Sequence, residues 1–384
     1  MKFKQIVSAA VVSALVLSFA GCAGLEQDTV TIAVIGNEAD LYPGYKDGTE
    51  KATEDARSEY EESGFNIEYE FYSYDGSYEE GAAIVDMLAA DESVTAVIGA
   101  ADMELNKTAA HVFDSAGKIF VVPFFLYDSV FDDNHYSMVF SMCNSGQTVG
   151  EILRRAAAET PAKRWAVCAA DREFEQSEMN GFLQYDSDDG INIADCVNIN
   201  ELENNFDEIY SRWENLGVEG AVIFAENEEG FELLRQIKRH FPSMVCAGDT
   251  AFDNTNITLN DAELTAAMNG FIMANEFIFN IETNEEMDRY IKFTEEYNAE
   301  TGEELDLWYI QGYNAVRMIS DTAVNENTAD PRRIAESLHE SGYSGLFQDL
   351  SFSDNGTLAE KDRVYTVFDA KGYAEDYILR DEVR

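Results

Sequence analysis

The sequence predicts an α/β protein made of two doubly wound parallel-sheet lobes. Three observations carry that expectation. The chain is 384 residues long, too long for one compact core and enough for two domains of ordinary size. Strand-like runs alternate with helical stretches almost to the end, the rhythm of a parallel sheet covered by helices on both faces. The alternation starts afresh near Gln147, so it reads as two series. With 46% hydrophobic and 12% aromatic residues, the chain has the material for packed cores.

In the first series, strand-like residues 29–35 lead to a helical stretch at 44–63, and 66–72 to a helix at 78–90. Residues 94–99 lead to a helix at 103–116, and an apolar run at 118–123 follows. The second series has helices at 147–159, 173–185, 202–216 and 228–240, with strands at 164–169, 191–197, 220–225 and 244–248. Residues 268–276 read as extended. Helices are then expected at 284–301, 305–325 and 330–341, the last with Pro331 at its first position, where a missing N–H costs nothing. Residues 346–353 and 363–369 read as a closing antiparallel pair joined by the Asp354-Asn355-Gly356 turn, a strong hairpin signal. No solenoid-type repeat is visible.

Charge excludes one class of partner. Seventy-four acidic residues face 26 basic ones, a formal net of −48. Nucleic acid repels such a surface, because affinity for phosphate comes from Lys and Arg. A solvated acidic coat that keeps the protein soluble accounts for the balance, with adaptation to salt as the alternative. The five cysteines show no C-x-x-C spacing, so zinc and redox motifs are unsupported. Cys168 and Cys246 lie in apolar runs where buried thiols are common; a Cys168–Cys196 disulfide stays open.

The N-terminus reads as an address. Lys2 and Lys4 precede an apolar stretch at 6–17, and Ser18, Phe19, Ala20 and Gly21 lead into Cys22. This is the signal-peptide order of charged, apolar and small residues. The run is shorter than the about 20 apolar residues a membrane span needs. Phe19-Ala20-Gly21-Cys22 resembles the bacterial lipobox. That resemblance implies cleavage before Cys22 and a diacylglycerol on its thiol, an anchor to the membrane through more than one acyl chain. Residues 1–22 are therefore set apart from the fold.

Enzymatic motifs are missing. There is no G-x-S-x-G elbow, no H-E-x-x-H and no phosphate-cradling glycine loop. The four histidines, His111, His135, His240 and His339, are scattered. No cofactor, no metal and no catalytic residue are expected.

Several segments, in their order, resemble one family. Val94–Gly99 (VTAVIG), Ile119–Pro123 (IFVVP), the strand and helix through Arg235-Gln236, Gly312-Tyr313-Asn314-Ala315, and Gly345-Leu346 with Phe352-Ser353-Asp354-Asn355-Gly356 carry the likeness. The chain resembles the leucine/isoleucine/valine-binding group of type I periplasmic binding proteins, the extracytoplasmic receptors of ABC importers. The resemblance implies three crossovers between lobes, near 141–146, 266–270 and 342–345. It thus implies an N-terminal lobe of 29–142 with 270–342 and a C-terminal lobe of 146–266 with 346–384.

The same resemblance places a ligand between the lobes and nominates residues for it. In the first lobe these are Tyr42, Asp102, Glu104 and Tyr127. In the second they are Phe174, Glu226, Asn227, Asp249 and Thr250, with Asp253 near them. Trp308 is nominated as an aromatic over the ligand, whereas Tyr309 reads more as core. The sequence departs from the family pattern at two points. Ala100-Ala101-Asp102-Met103-Glu104 stands where hydroxyl residues hold an amino acid's carboxylate, so acids replace an anion site. Bulky Phe124, Phe125, Leu126 and Tyr127 stand where small hydroxyl residues are usual. The implied function is a monomeric, lipid-anchored extracytoplasmic receptor that delivers a small polar solute to an ABC permease in the membrane. An amino acid or amine is the first choice of solute and a nucleoside-like or aromatic compound the second. The alternative is a sensory binding protein that signals through a membrane partner.

Overall fold

The computed structural model describes residues 28–37, 43–131, 134–184, 189–252, 260–274, 284–302, 305–359, 363–369 and 374–379. Lobe 1 starts with β1 (Asp28–Asn37), α1 (Pro43–Glu59), β2 (Phe65–Tyr74) and α2 (Tyr78–Ala90). It continues through β3 (Ala96–Ile98), α3 (Met103–Ala116), β4 (Ile119–Val122) and β5 (Val139–Ser141). The strands form one parallel sheet in the order β2-β1-β3-β4-β5. The continuous apolar runs of β3 and β4 are buried along their whole length, as strands covered by helices on both faces must be.

The chain then enters lobe 2 at α4 (Gly146–Glu159), whose start is fixed by the Ser145 side chain accepting from the Thr148 N–H. There follow β6 (Arg164–Ala169), α5 (Glu173–Gln184), β7 (Asn192–Asn198), α6 (Ile199–Leu216) and β8 (Gly220–Phe224). Next come α7 (Asn227–His240), β9 (Val245–Gly248), α8 (Ala262–Ala267) and β10 (Ile272–Ala274). The remaining elements are α9 (Asn284–Thr301), α10 (Leu307–Asn325), α11 (Pro331–Ser341), β11 (Tyr343–Ser344), β12 (Asp349–Leu350), β13 (Arg363–Phe368) and β14 (Ala374–Leu379). Seven strands form the second sheet in the order β14-β13-β10-β9-β8-β6-β7. It is parallel from β7 to β10 and antiparallel at β13 and β14.

Three expectations change, and one open question closes. The strand at 272–274 pairs Ile272 with Ala247 and Met273 with Gly248 in lobe 2, and Phe271 beside it is wholly buried in that lobe's core. The crossover expected at 266–270 therefore falls after residue 274. The third crossover also falls later. Asn314 Nδ2 donates to the Leu346 carbonyl at 3.0 Å, and the Ser141 N–H donates to the Gly356 carbonyl at 2.9 Å. Phe352 packs edge-on against Phe140 at 5.0 Å. Residues 343–359 thus stay on lobe 1, and the chain leaves it only for β13.

The closing hairpin is the third change. The Asp354-Asn355-Gly356 turn forms, with the Gly356 N–H donating to the Ser353 carbonyl at 2.9 Å. It joins only the single bridge between Phe352 and Leu358. β13 instead pairs with β10 and β14, because Tyr365 and Val367 pack into the lobe 2 core and the Tyr365 hydroxyl donates to Glu159 at 2.6 Å. The disulfide left open by the sequence does not form, since Cys168 and Cys196 are free thiols. The register sets Cys196 opposite Val167 and Val197 opposite Cys168, so alternation sends the two sulfurs to opposite faces of the sheet.

Glycines seat a helix pair in each lobe. A Cβ on Gly48 of α1 would lie 2.1 Å from the Tyr309 carbonyl oxygen of α10. In lobe 2, a Cβ on Gly150 would lie 1.9 Å from the Glu178 carbonyl oxygen, and one on Gly181 2.0 Å from that of Gln147. Backbone touches backbone at these contacts, which fixes α10 over α1 and α5 over α4.

Candidate functional site

In open parallel sheets the loops beyond the carboxyl ends of the strands form the ligand edge. Here those loops come from both sheets, and they meet. Phe125, after β4, lies against Phe174 of α5 with ring centroids 5.5 Å apart. Lys107 Nζ of α3 is 3.3 Å from the Glu173 carboxylate, and the Ser129 hydroxyl donates to the same group. Asp128 accepts from the Gln147 N–H at 3.1 Å and from the Ser177 hydroxyl. The loop after β4 is thereby held on the first turns of α4 and α5.

An aromatic wall runs along the lobe 1 side. Trp308, in the first turn of α10, is half-buried. Its indole stacks on Phe124 at 4.7 Å and meets Phe125 edge-on at 6.1 Å. Phe124 in turn packs edge-on against Tyr45 at 4.8 Å, whose hydroxyl donates to the Gly99 carbonyl at 2.7 Å. Asp306 fixes the start of α10, accepting from the Tyr309 N–H at 2.8 Å and the Gly44 N–H at 3.2 Å. Tyr309 is buried among Tyr297, Phe293 and Phe347, so it belongs to the core.

The acids have different surroundings. Asp102 caps α3, its Oδ1 accepting from the Leu105 N–H at 2.9 Å. Glu104 is exposed one residue into the helix. The Tyr127 hydroxyl is pushed up to about 12, by burial first and then by the charges of Glu104 and Glu173. The Lys107 ammonium lies 5.3 Å from the centre of the Tyr127 ring. In lobe 2, Arg172 contacts Glu175 at 2.6 Å, Glu229 at 3.0 Å and Glu226 at 3.6 Å.

Beneath that ion cluster lies a buried carboxyl pair. Glu178 is wholly buried and Asp249 nearly so. Burial pushes Asp249 up to about 6, and the charge of Glu175 adds to that rise. Asp249 is thus turned inward, against Glu178 and the Ala251 N–H at 3.0 Å, instead of standing free in its loop.

Of the residues nominated from sequence, Asp102, Glu104, Tyr127, Phe174, Glu226, Thr250 and Trp308 lie along this edge, and Asn227 heads α7. Tyr42, Asp253 and Cys22 lie outside the described residues. Phe125 stands out in the sequence as a bulky departure but not as a contact, and Lys107, Arg172, Glu178 and Gln311 carry no nomination from it. The Phe124-Phe125 doublet directly after a strand was a visible signal for one of them. Nothing local distinguishes Glu178 from the other acids of a polar helix.

Two parallel-sheet lobes whose strand ends face each other across an aromatic and acidic cleft define a two-lobed solute-binding protein. Residues 29–372 match the periplasmic binding protein family, and the chain belongs to it. A Pseudomonas aeruginosa leucine-, isoleucine-, valine-, threonine- and alanine-binding protein is 20% identical over 347 residues, covering 89% of this chain and 90% of that protein. An ABC transporter substrate-binding protein from Desulfitobacterium hafniense superposes with a TM-score of 0.77 at 21% identity, covering 91% of this chain and all of that one. A branched-chain amino-acid ABC transporter periplasmic ligand-binding protein from Burkholderia xenovorans gives 0.75 at 13% identity, with 91% and 94% coverage. At these identities the likeness establishes the fold.

Proposed function

We propose that the protein is the extracytoplasmic receptor of an ABC importer and captures a small amino acid or amine between its lobes. The observation that carries this reading is the meeting of Phe125 and Phe174 across the cleft, which supports a site that draws groups from both lobes. The relatives named for amino-acid binding and for ABC transport support it. Asp102, Glu104, Tyr127, Phe174, Glu226, Asn227, Thr250 and Trp308 are the candidate contacts, and Tyr42 joins them from sequence alone. A thermal-shift screen of amino acids and amines tests the reading. A true solute at 100 times its Kd adds about 2.7 kcal/mol of stability. Silence across the whole panel would falsify it.

The same reading has Cys22 acylated and the receptor held at the outer face of the cell membrane. Cys22→Ser is expected to give unprocessed or released protein. A correctly cut variant that stays with the membrane fraction would overturn the anchor.

A further inference from the structure

We infer that the cleft selects a solute with a positively charged head and a flat apolar body, and that a free carboxylate on the solute is disfavoured. The inference rests on the solute-binding reading above and narrows its substrate class.

Helix N-termini at a ligand edge ordinarily attract anions, through free N–H groups and the positive end of the dipole. In this cleft the chain's own carboxylates take those places. Asp102 occupies the start of α3 and bonds the Leu105 N–H at 2.9 Å. Glu104 follows it, α5 carries Glu173 and Glu175 in its first turn, and α7 carries Glu228 and Glu229. The cations at the same edge are already engaged, Lys107 by Glu173 and Arg172 by Glu175 and Glu229. A solute carboxylate entering here meets like charge, whereas an ammonium meets carboxylates and the faces of aromatic rings, both of which attract it.

The apolar half of the solute is read from the rings. Phe125 and Trp308 on lobe 1 and Phe174 on lobe 2 present aromatic surface from both sides of the cleft. A flat body packs against such surface in stacked or edge-on geometry.

A third observation is independent of charge. Gln311 lies one turn beyond Trp308 on the same face of α10. It is wholly buried, and neither its Nε2 nor its Oε1 has a hydrogen-bond partner among the described residues. A buried amide left open in this way calls for a polar partner. The solute's head, or a water held by it, can supply one.

The test uses three compounds that share a phenyl ring and differ in charge: 2-phenylethylamine, phenylalanine and 3-phenylpropanoate. Binding is measured by calorimetry on the full chain in mild detergent, at low and at moderate salt. The amine is expected to bind at least tenfold more tightly than phenylalanine, to weaken with added salt, and the acid is expected not to bind. Asp102→Asn keeps a good helix cap and removes the charge. It is expected to lose fivefold or more of the amine affinity with an unchanged melting temperature. Phenylalanine or leucine binding more tightly than the amine, or any binding of the acid, overturns the charge selection and leaves the receptor reading standing. No binding of the amine, with a thermal shift from another amino acid, does the same. An amine affinity unchanged in Asp102→Asn and insensitive to salt also overturns it.

Discussion

Two residues make opposite kinds of forecast. Trp308 is half-buried and stacked on Phe124, so its removal exposes the aromatic wall without hollowing a core. Trp308→Ala is expected to weaken solute binding about tenfold or more, since loss of such an anchor costs about 2 kcal/mol. Its melting temperature should fall only slightly. A core tryptophan replaced by alanine costs about 3–5 kcal/mol instead, so a collapse in stability with affinity intact would return Trp308 to the core. Asp249 acts through protons. Burial holds it near 6, above its ordinary 3.8, so the folded protein keeps a proton that the unfolded chain releases. The stability from this group is full below pH about 4 and is lost as pH rises through about 6. Asp249→Asn imitates the protonated form. It is expected to raise the melting temperature at pH 7 and to flatten the profile between pH about 4 and 7 relative to the parent, a gain on the order of 3 kcal/mol. An unchanged difference between the two proteins across that range would remove Asp249 as a titrating group.

At the scale of elements, packing is decided by the glycines that let backbones touch. Gly150→Val drives a side chain into the Glu178 carbonyl and Gly48→Val into that of Tyr309. Neither neighbour can move aside as a flexible side chain would. Each substitution is expected to cost about 3 kcal/mol or more, read as a shift of the denaturation midpoint. A loss under about 1 kcal/mol would mean that the helix pairs slide apart at little cost. These contacts explain what the sequence showed and what it hid. The strands β3, β4 and β8 announce themselves as short apolar runs, and their helices as capped, periodic segments. The family resemblance nominates Asp102, Phe174 and Trp308, and each lies near the loops where the two sheets meet. β13 hid its partner, since a mostly apolar run of six residues can pair with residues 346–353 across a nearby turn or with β10. Its choice depends on Tyr365 and Val367 finding the lobe 2 core. The Glu178–Asp249 pair and the Phe125–Phe174 contact each join residues far apart in the chain, and no local pattern encodes such a meeting.

At the scale of the molecule, charge and lobe contact govern behaviour in solution. A net of −48 makes the surface repel itself, and added salt screens that over about 10 Å at 0.1 M. The melting temperature is expected to rise between low and moderate NaCl, and a flat or falling trend would show that repulsion is already offset. The lobes touch through Asp128, Ser129 and Lys107 on one side and Gln147, Glu173 and Ser177 on the other. Closure by hinge motion makes these contacts switchable. Solution scattering is expected to give a smaller radius of gyration with solute than without, and the double variant Asp128→Ala, Glu173→Ala should lie nearer the open value.

The order in which the chain visits the two sheets also governs how the protein can be made. Lobe 1 draws α10, α11 and residues 343–359 from late in the sequence, and lobe 2 waits for β13 and β14. Lobe 1 cannot finish before residue 359 is made, nor lobe 2 before residue 379. During synthesis and passage to the outside, β10 is an uncovered sheet edge, and such edges recruit other strands. Pairings this distant in sequence form slowly. A chain cut off after residue 359 should therefore hold a protease-resistant lobe 1 beside a lobe 2 that is still cleaved, and the full chain should reach the translocation channel with lobe 2 still open.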